Sequence, residues 1–180
     1  LEAAWHALED AGYAASIEGV DGGRPIARKR MGTFVGLSVM EFRTLLSTRS
    51  TAQMMAAGQF GSPGTDEEAA ALGRMINRLV PSRAFTGPGV LGSMSAAVVA
   101  QELDLGGPAY TMDAACASAL VAVNDAVSHL RSGAVDAALA GGVYLNLTPE
   151  HLIGFSRIGA ISASGICRPF DARADGFVQG

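Results

Sequence analysis

The residue types able to do covalent chemistry are few, and the most suggestive of them is Cys116, set in the run DAACASAL at residues 113–120. A cysteine in the first turn of a helix that directly follows a strand faces unpaired backbone N–H groups and the positive end of the helix dipole, both of which favour a thiolate. Small residues two places to either side, Ala114 and Ser118, suit the sharp turn such a nucleophile requires. The same N–H groups would receive the negative charge of a tetrahedral intermediate. A cysteine among alanines is equally read as a small buried apolar residue, and the local pattern alone does not choose. A thiol nucleophile works beside a histidine, and the chain has His6, His129 and His151. His129 lies thirteen positions along the same helix as Cys116, about 20 Å away at ~1.5 Å per residue, too far to share a proton. His6 reads as a surface or packing residue beside Trp5, and His151 as a surface residue early in a short helix. The sequence thus offers a nucleophile without a visible base. Cys167 stands apart, and two cysteines in this spacing make neither a disulfide scaffold nor a zinc site.

The elements that must position Cys116 follow from punctuation. GPAYTMDAA reads as a strand entering a turn, CASALVAVNDAVSHLRSG as a helix stopped at Gly133, and VDAALAGG as a continuous apolar strand. Strand, helix and strand in this order form a crossover unit in a sheet covered on both faces. Upstream, residues 1–12 form an amphipathic helix stopped at Gly12, TFVGLS a short buried strand, and LGSMSAAVVAQELDL a helix buried nearly all round. The basic cluster Arg24, Arg28, Lys29 and Arg30 reads as a solvated loop. Between Glu41 and Arg83 only a helix through Met75 and Leu79, ending at Pro81, is legible; Asp66, Glu67 and Glu68 would cap its positive end. After Pro149 come a short helix, a loop and the start of a further strand.

Composition narrows the class. Of 180 residues 49% are apolar and 17% charged, with a formal charge of −4, which excludes intrinsic disorder and a phosphate-gripping nucleic-acid binder. No apolar run approaches the ~20 residues of a membrane span, and LEAAWHALED carries acids where a secretory signal carries bases. A soluble cytoplasmic protein, binding neither membrane nor nucleic acid, is expected. The chain opens without methionine inside a helix and closes on GFVQG, the marks of a piece of something longer.

Residues 107–143, GPAYTMDAACASALVAVNDAVSHLRSGAVDAALAGGV, closely resemble the active-site segment of the β-ketoacyl synthases, the condensing enzymes of fatty-acid and polyketide assembly. LEAAWHALEDAG, TFVG, FTG, FSRIGAIS and CRPFDARADGFVQG resemble further blocks of that family, in family order from end to end, with residues 41–83 matching poorly. The resemblance implies an α/β thiolase-like fold with a mixed sheet layered between helices. It makes residues 1–180 a fragment of one N-terminal domain without internal boundary, lacking the first strand and the C-terminal half. It also implies that Cys116 accepts an acyl group as a thioester and that a malonyl-type extender is then joined by decarboxylative Claisen condensation, a 3-oxoacyl-carrier-protein synthase reaction. No cofactor or metal is implied, the substrates riding on the phosphopantetheine of an acyl carrier protein, and the intact enzyme is a homodimer. Two histidines that handle the intermediates lie in the family's second half, beyond Gly180, so the 180 residues alone are expected not to condense. Thr86 falls where the family reaches into the partner subunit's acyl tunnel, and Phe155 where a residue beside the nucleophile lines the acyl pocket. A helix cap and a plain core aromatic are equally good readings of these two. Cys167 sits in a structural block.

Ala117 and Ala119 stand where serine is frequent in modular polyketide synthases, a change a small-residue turn absorbs. Cysteine instead of the glutamine of chain-length-factor relatives implies an elongating enzyme, and a polyketide synthase is the expected source. The competing readings are a thiolase-like acyltransferase that condenses without decarboxylation, and a catalytically silent dimerisation or assembly module.

Overall fold

The computed structural model describes residues 1–13, 27–38, 41–61, 65–79, 81 and 83–179. In chain order the regular elements are α1 (Glu2–Asp10), β1 (Met31–Gly36), α2 (Glu41–Ala56), α3 (Asp66–Leu79), α4 (Met94–Glu102), β2 (Ala109–Met112), α5 (Ser118–Arg131), β3 (Ala137–Gly142) and α6 (Glu150–Arg157). They divide into two compact units, Leu1–Met40 with Ala84–Val143, and Glu41–Arg83 with Tyr144–Gly180.

In the first unit β1 is the central strand of a parallel sheet ordered β2-β1-β3, with Gly36 paired to Met112 on one side and to Gly142 on the other. Because side chains alternate along a strand, each face gathers its own core. Met31, Ala109, Ala137 and Leu139 pack with Leu8 of α1 and with Val99, Ala100 and Leu103 of α4 and its C-terminus. On the other face Phe34, Tyr110, Met112 and Ala138 pack on Ala122 and Ala126 of α5. The helix-covered α/β sheet is as expected, and all three described strands run parallel. α1 and α5 also stop where the glycines predicted. Gly12 and Gly133 adopt φ of 79° and 71°, and the next two N–H groups of each terminus bond back to Glu9 and Leu8, and to Leu130 and His129. Of the basic cluster, Lys29 pairs with Asp104 and Arg30 with Asp136, each at 2.8 Å; Arg24 lies outside the described residues.

The second unit is built differently. α3 starts on a reciprocal cap in which Thr65 N–H donates to Glu68 Oε2 (2.8 Å) and Glu68 N–H to Thr65 Oγ1 (3.3 Å), so the acidic cluster does cap, through Glu68. α2 is an element the sequence reading did not anticipate, since Ser47, Thr48, Ser50 and Thr51 interrupt any apolar stripe. Toward the C-terminus the expected strand is present as a single bridge between Ile161 and Phe177. Asp175 organises the turn before it: its carboxylate accepts from Ser162 Oγ (2.6 Å) and from the N–H (3.0 Å) and Oγ (3.2 Å) of Ser164.

Candidate active site

Between β2 and α5 the chain makes one 3-10 turn, Ala115–Ala117, which carries Cys116. Three contacts shape it. Asp113 Oδ1 accepts the Ala115 N–H at 2.9 Å, Ser118 Oγ accepts the Ala114 N–H at 2.9 Å, and the same hydroxyl donates to the Ala115 carbonyl at 2.6 Å. Ser118 is therefore buried for more than its small size: it ties the turn to itself. Ala115 sits at φ 50°, a left-handed conformation that disfavours a residue with a Cβ by roughly 1–2 kcal/mol. Cys116 is a free thiol, exposed in this chain. Among the described residues its N–H donates to no acceptor.

The strand ends make room for this turn. A Cβ on Gly36 would lie 2.5 Å from the carbonyl carbon of Ser118, and one on Gly142 would lie 2.8 Å from the Ala119 Cβ. The glycines at the C-terminal ends of β1 and β3 thus allow the start of α5 to sit directly against them, a close approach that any side chain would prevent.

The remaining candidates fall as follows. His129 is committed to packing, with its ring 4.8 Å from that of Phe34 and its Nδ1 2.8 Å from the Asp125 carbonyl. His6 is exposed on α1. Thr86, half-buried, lies in the turn over residues 84–87. The N-cap position of the following 3-10 turn is Gly87 and that of α4 is Ser93. Cys167 is exposed in the loop whose turn Asp175 holds. Phe155 belongs to α6 in the second unit, half-buried, its ring edge-on to Phe177 at 5.2 Å.

Two features escaped the sequence reading. In the first unit an apolar cavity of about 650 Å³ lies over the α1 and α4 face of the sheet, lined by Ala4, Val35, Phe85, Met94, Val98 and Leu139 among others. Thr33 also lines it, and its hydroxyl is buried without a partner. In the second unit Glu41, whose side chain is 1% exposed, accepts from the N–H groups of Leu147 and Thr148 (2.7 Å for Thr148), from the Tyr144 hydroxyl at 3.3 Å, and faces His151 Nδ1 at 3.0 Å. Burial works against the charge, but the bonds from His151, Leu147, Thr148 and Tyr144 outweigh it and hold the carboxyl down at about 2. A glutamate opening a helix reads as an ordinary dipole partner, and its contacts are more than a hundred positions away, so no local signal announces this cluster.

The comparison with known families decides the assignment. The model of the β-ketoacyl synthase N-terminal domain matches residues 1–180. The chain belongs to the β-ketoacyl synthase family. It is 33% identical over 180 residues to the polyketide synthase PksN of Bacillus subtilis and 36% identical to a phenolphthiocerol/phthiocerol polyketide synthase of Mycobacterium tuberculosis, spanning 3% and 8% of their lengths. Among solved structures, the ketosynthase from module 6 of the bacillaene synthase of Bacillus subtilis 168 superposes with a TM-score of 0.61 at 29% identity, over 97% of this chain and 23% of that one. The oxazolomycin ketosynthase domain of Streptomyces albus JA3453 gives 0.62 at 25% identity, over 97% and 24%. A type II polyketide ketosynthase in complex with its acyl carrier protein shares the fold at a TM-score of 0.63 and 21% identity. The thiolase-like fold that the resemblance implied is therefore the fold of this chain, which covers about a quarter of either of the first two ketosynthase structures.

Proposed function

We propose that residues 1–180 are part of a single β-ketoacyl synthase domain and carry the nucleophile of the complete enzyme. In the loading step the Cys116 thiolate adds to the carbonyl of an acyl thioester, and the tetrahedral intermediate collapses with release of the carrier's phosphopantetheine thiol. In the second step a malonyl-type thioester loses CO2, and the resulting enolate attacks the acyl carbonyl on Cys116 and expels the thiolate. The product is a β-ketoacyl thioester, and Cys116 is ready for another cycle. The observation that carries this reading is the exposed Cys116 in a turn closed by Asp113 and Ser118, with its own N–H unpaired and available to a developing oxyanion.

The histidines that would handle the enolate are assigned to the part of the synthase beyond Gly180, consistent with the packed position of His129. Leu120, Val123, Val127 and Leu130 form an exposed stripe at helical spacing along α5, which supports a larger enzyme packing there. Thr86 and Phe155 are proposed to line the acyl path, Thr86 toward a partner subunit of a homodimer. An acyl carrier protein is the proposed partner, a reading supported by the carrier complex of the type II ketosynthase. The polyketide synthases among the relatives favour polyketide over fatty-acid assembly, and a cytoplasmic location is assigned with it; among the described residues no helix is long and apolar enough to cross a membrane.

The test is selective alkylation of the complete synthase. Iodoacetamide should modify Cys116 ahead of Cys167, as read by peptide mass spectrometry, and Cys116→Ala should abolish acyl loading. Equal or reversed labelling sinks the nucleophile assignment. The 180-residue chain alone should not decarboxylate a malonyl thioester at the rate of the complete enzyme.

A further inference from the structure

We infer that Ser118 and Asp113 are positioning residues for acyl transfer: by clamping the two peptide groups on either side of Ala115 they present the Cys116 N–H to the oxyanion that forms during loading. The inference rests on the assignment of Cys116 as nucleophile made above.

Four polar backbone groups flank Ala115, because each peptide plane next to it carries one N–H and one carbonyl. In the plane before it, the Ala115 N–H donates to Asp113 Oδ1 at 2.9 Å and the Ala114 carbonyl accepts the Ala117 N–H at 3.1 Å. In the plane after it, the Ala115 carbonyl accepts the Ser118 hydroxyl at 2.6 Å and the Ser118 N–H as well. The fourth group is the Cys116 N–H, and among the described residues it donates to nothing. That N–H and the Ala115 carbonyl belong to one trans peptide group and point in opposite directions, so whatever holds the carbonyl aims the N–H.

The Ser118 hydroxyl is suited to hold it. Its Oγ accepts the Ala114 N–H at 2.9 Å, which leaves its single proton for the Ala115 carbonyl. Ser118 is itself buried against the sheet, since a Cβ on Gly36 would come within 2.6 Å of the Ser118 carbonyl oxygen. A clamp is needed because Ala115, at φ 50°, is in a conformation that its Cβ disfavours and that surrounding bonds must maintain. Released, Ala115 would relax toward negative φ and swing both peptide planes, taking the Cys116 N–H with them. The thiol would remain, and the aim of the donor would be lost.

The test compares two reactions of the Cys116 thiol in the complete synthase. Acylation by butanoyl-N-acetylcysteamine joins sulfur to the thioester carbon, moves the carbonyl electron pair onto oxygen, and returns it as the N-acetylcysteamine thiolate leaves. Alkylation by iodoacetamide joins sulfur to carbon as iodide leaves, with no oxyanion formed. Both are followed by peptide mass spectrometry at Cys116. Ser118→Ala should slow acylation about tenfold or more while alkylation stays within about twofold of the parent rate. Asp113→Ala should split the two reactions in the same way by about threefold or more. Asp113→Asn, which keeps an oxygen acceptor, should recover most of that loss, and this pair serves if Ser118→Ala does not fold. In a folded variant, equal slowing of both reactions, or acylation at the parent rate, overturns the positioning role and leaves the nucleophile assignment standing. Acyl loading that survives Cys116→Ala sinks the nucleophile assignment instead, and the inference with it.

Discussion

The two units of the chain are ordered by opposite means. Apart from Ile76, the buried hydrophobes among the described residues lie in the first unit, most of them in two clusters on the faces of a parallel sheet, and the turn with Cys116 rises from the end of that sheet. The second unit gathers its loops around two carboxylates, Glu41 and Asp175, that collect backbone N–H groups and hydroxyls. An apolar core is indifferent to pH and tolerates rearrangement of its surface. A polar hub is directional, fails when one partner is lost, and responds to protons. The proposed nucleophile Cys116 is thus mounted on the part that acid and local substitution disturb least, while the proposed pocket residue Phe155 is mounted on the part they disturb most.

The sharpest way to break that contrast is to remove the centre of the apolar side. Phe34 is fully buried on the middle strand, edge-on to Tyr110 at 5.2 Å. Phe34→Ala should lower stability by about 3–5 kcal/mol, a large share of what a domain has. A urea titration followed by the fluorescence of Trp5, which packs on the core of the same unit, reads the loss. A change below about 1 kcal/mol would mean that the sheet does not depend on its core.

The second test acts on the polar side. Glu41 is held at about 2 against an ordinary value of 4.5, so its carboxylate is bound less tightly to protons in the folded chain than in the unfolded one. Its contribution is therefore complete above pH 4.5 and is lost as the pH falls from there through about 2. Amide exchange at Leu147 and Thr148 should accelerate across that window before Trp5 reports any loss of the sheet, and Glu41→Gln should remove the acid dependence. Protection that persists unchanged down to pH 2 would show that the carboxylate is not what holds the segment.

The same contrast explains what could be read in the amino-acid sequence. The elements of the first unit follow from local rules: a short apolar, β-favouring run in β1, glycine stops at Gly12 and Gly133, and a strand-turn-helix around Cys116 whose small residues announce the turn. Even there the role of Ser118 as a tie for the turn was hidden, because a serine two places after Cys116 reads only as small. In the second unit the helices Asp66–Leu79 and Glu150–Arg157 could be read, but what ties the unit together could not. α2 has no apolar stripe, and Glu41 meets Tyr144, Thr148 and His151 across more than a hundred positions, a pairing that no periodicity encodes. His151 reads as a surface residue for the same reason: its partner is distant in the chain, although half of the side chain is in fact covered.

The smallest expected effect sharpens the comparison from inside the first unit. Thr33 sits on the central strand, 2% exposed, with its hydroxyl buried and unpartnered at the edge of the apolar cavity. A buried hydroxyl without a partner forfeits its hydrogen bonds to water and gains nothing in exchange, and valine has nearly the same shape without that penalty. Thr33→Val should therefore raise stability by about 1 kcal/mol, read as a higher urea midpoint with an unchanged slope. A loss of stability would mean that the hydroxyl finds a partner in solution, and that the sheet itself carries a polar tie. The division of labour between an apolar scaffold under Cys116 and polar hubs for the second unit would then no longer hold.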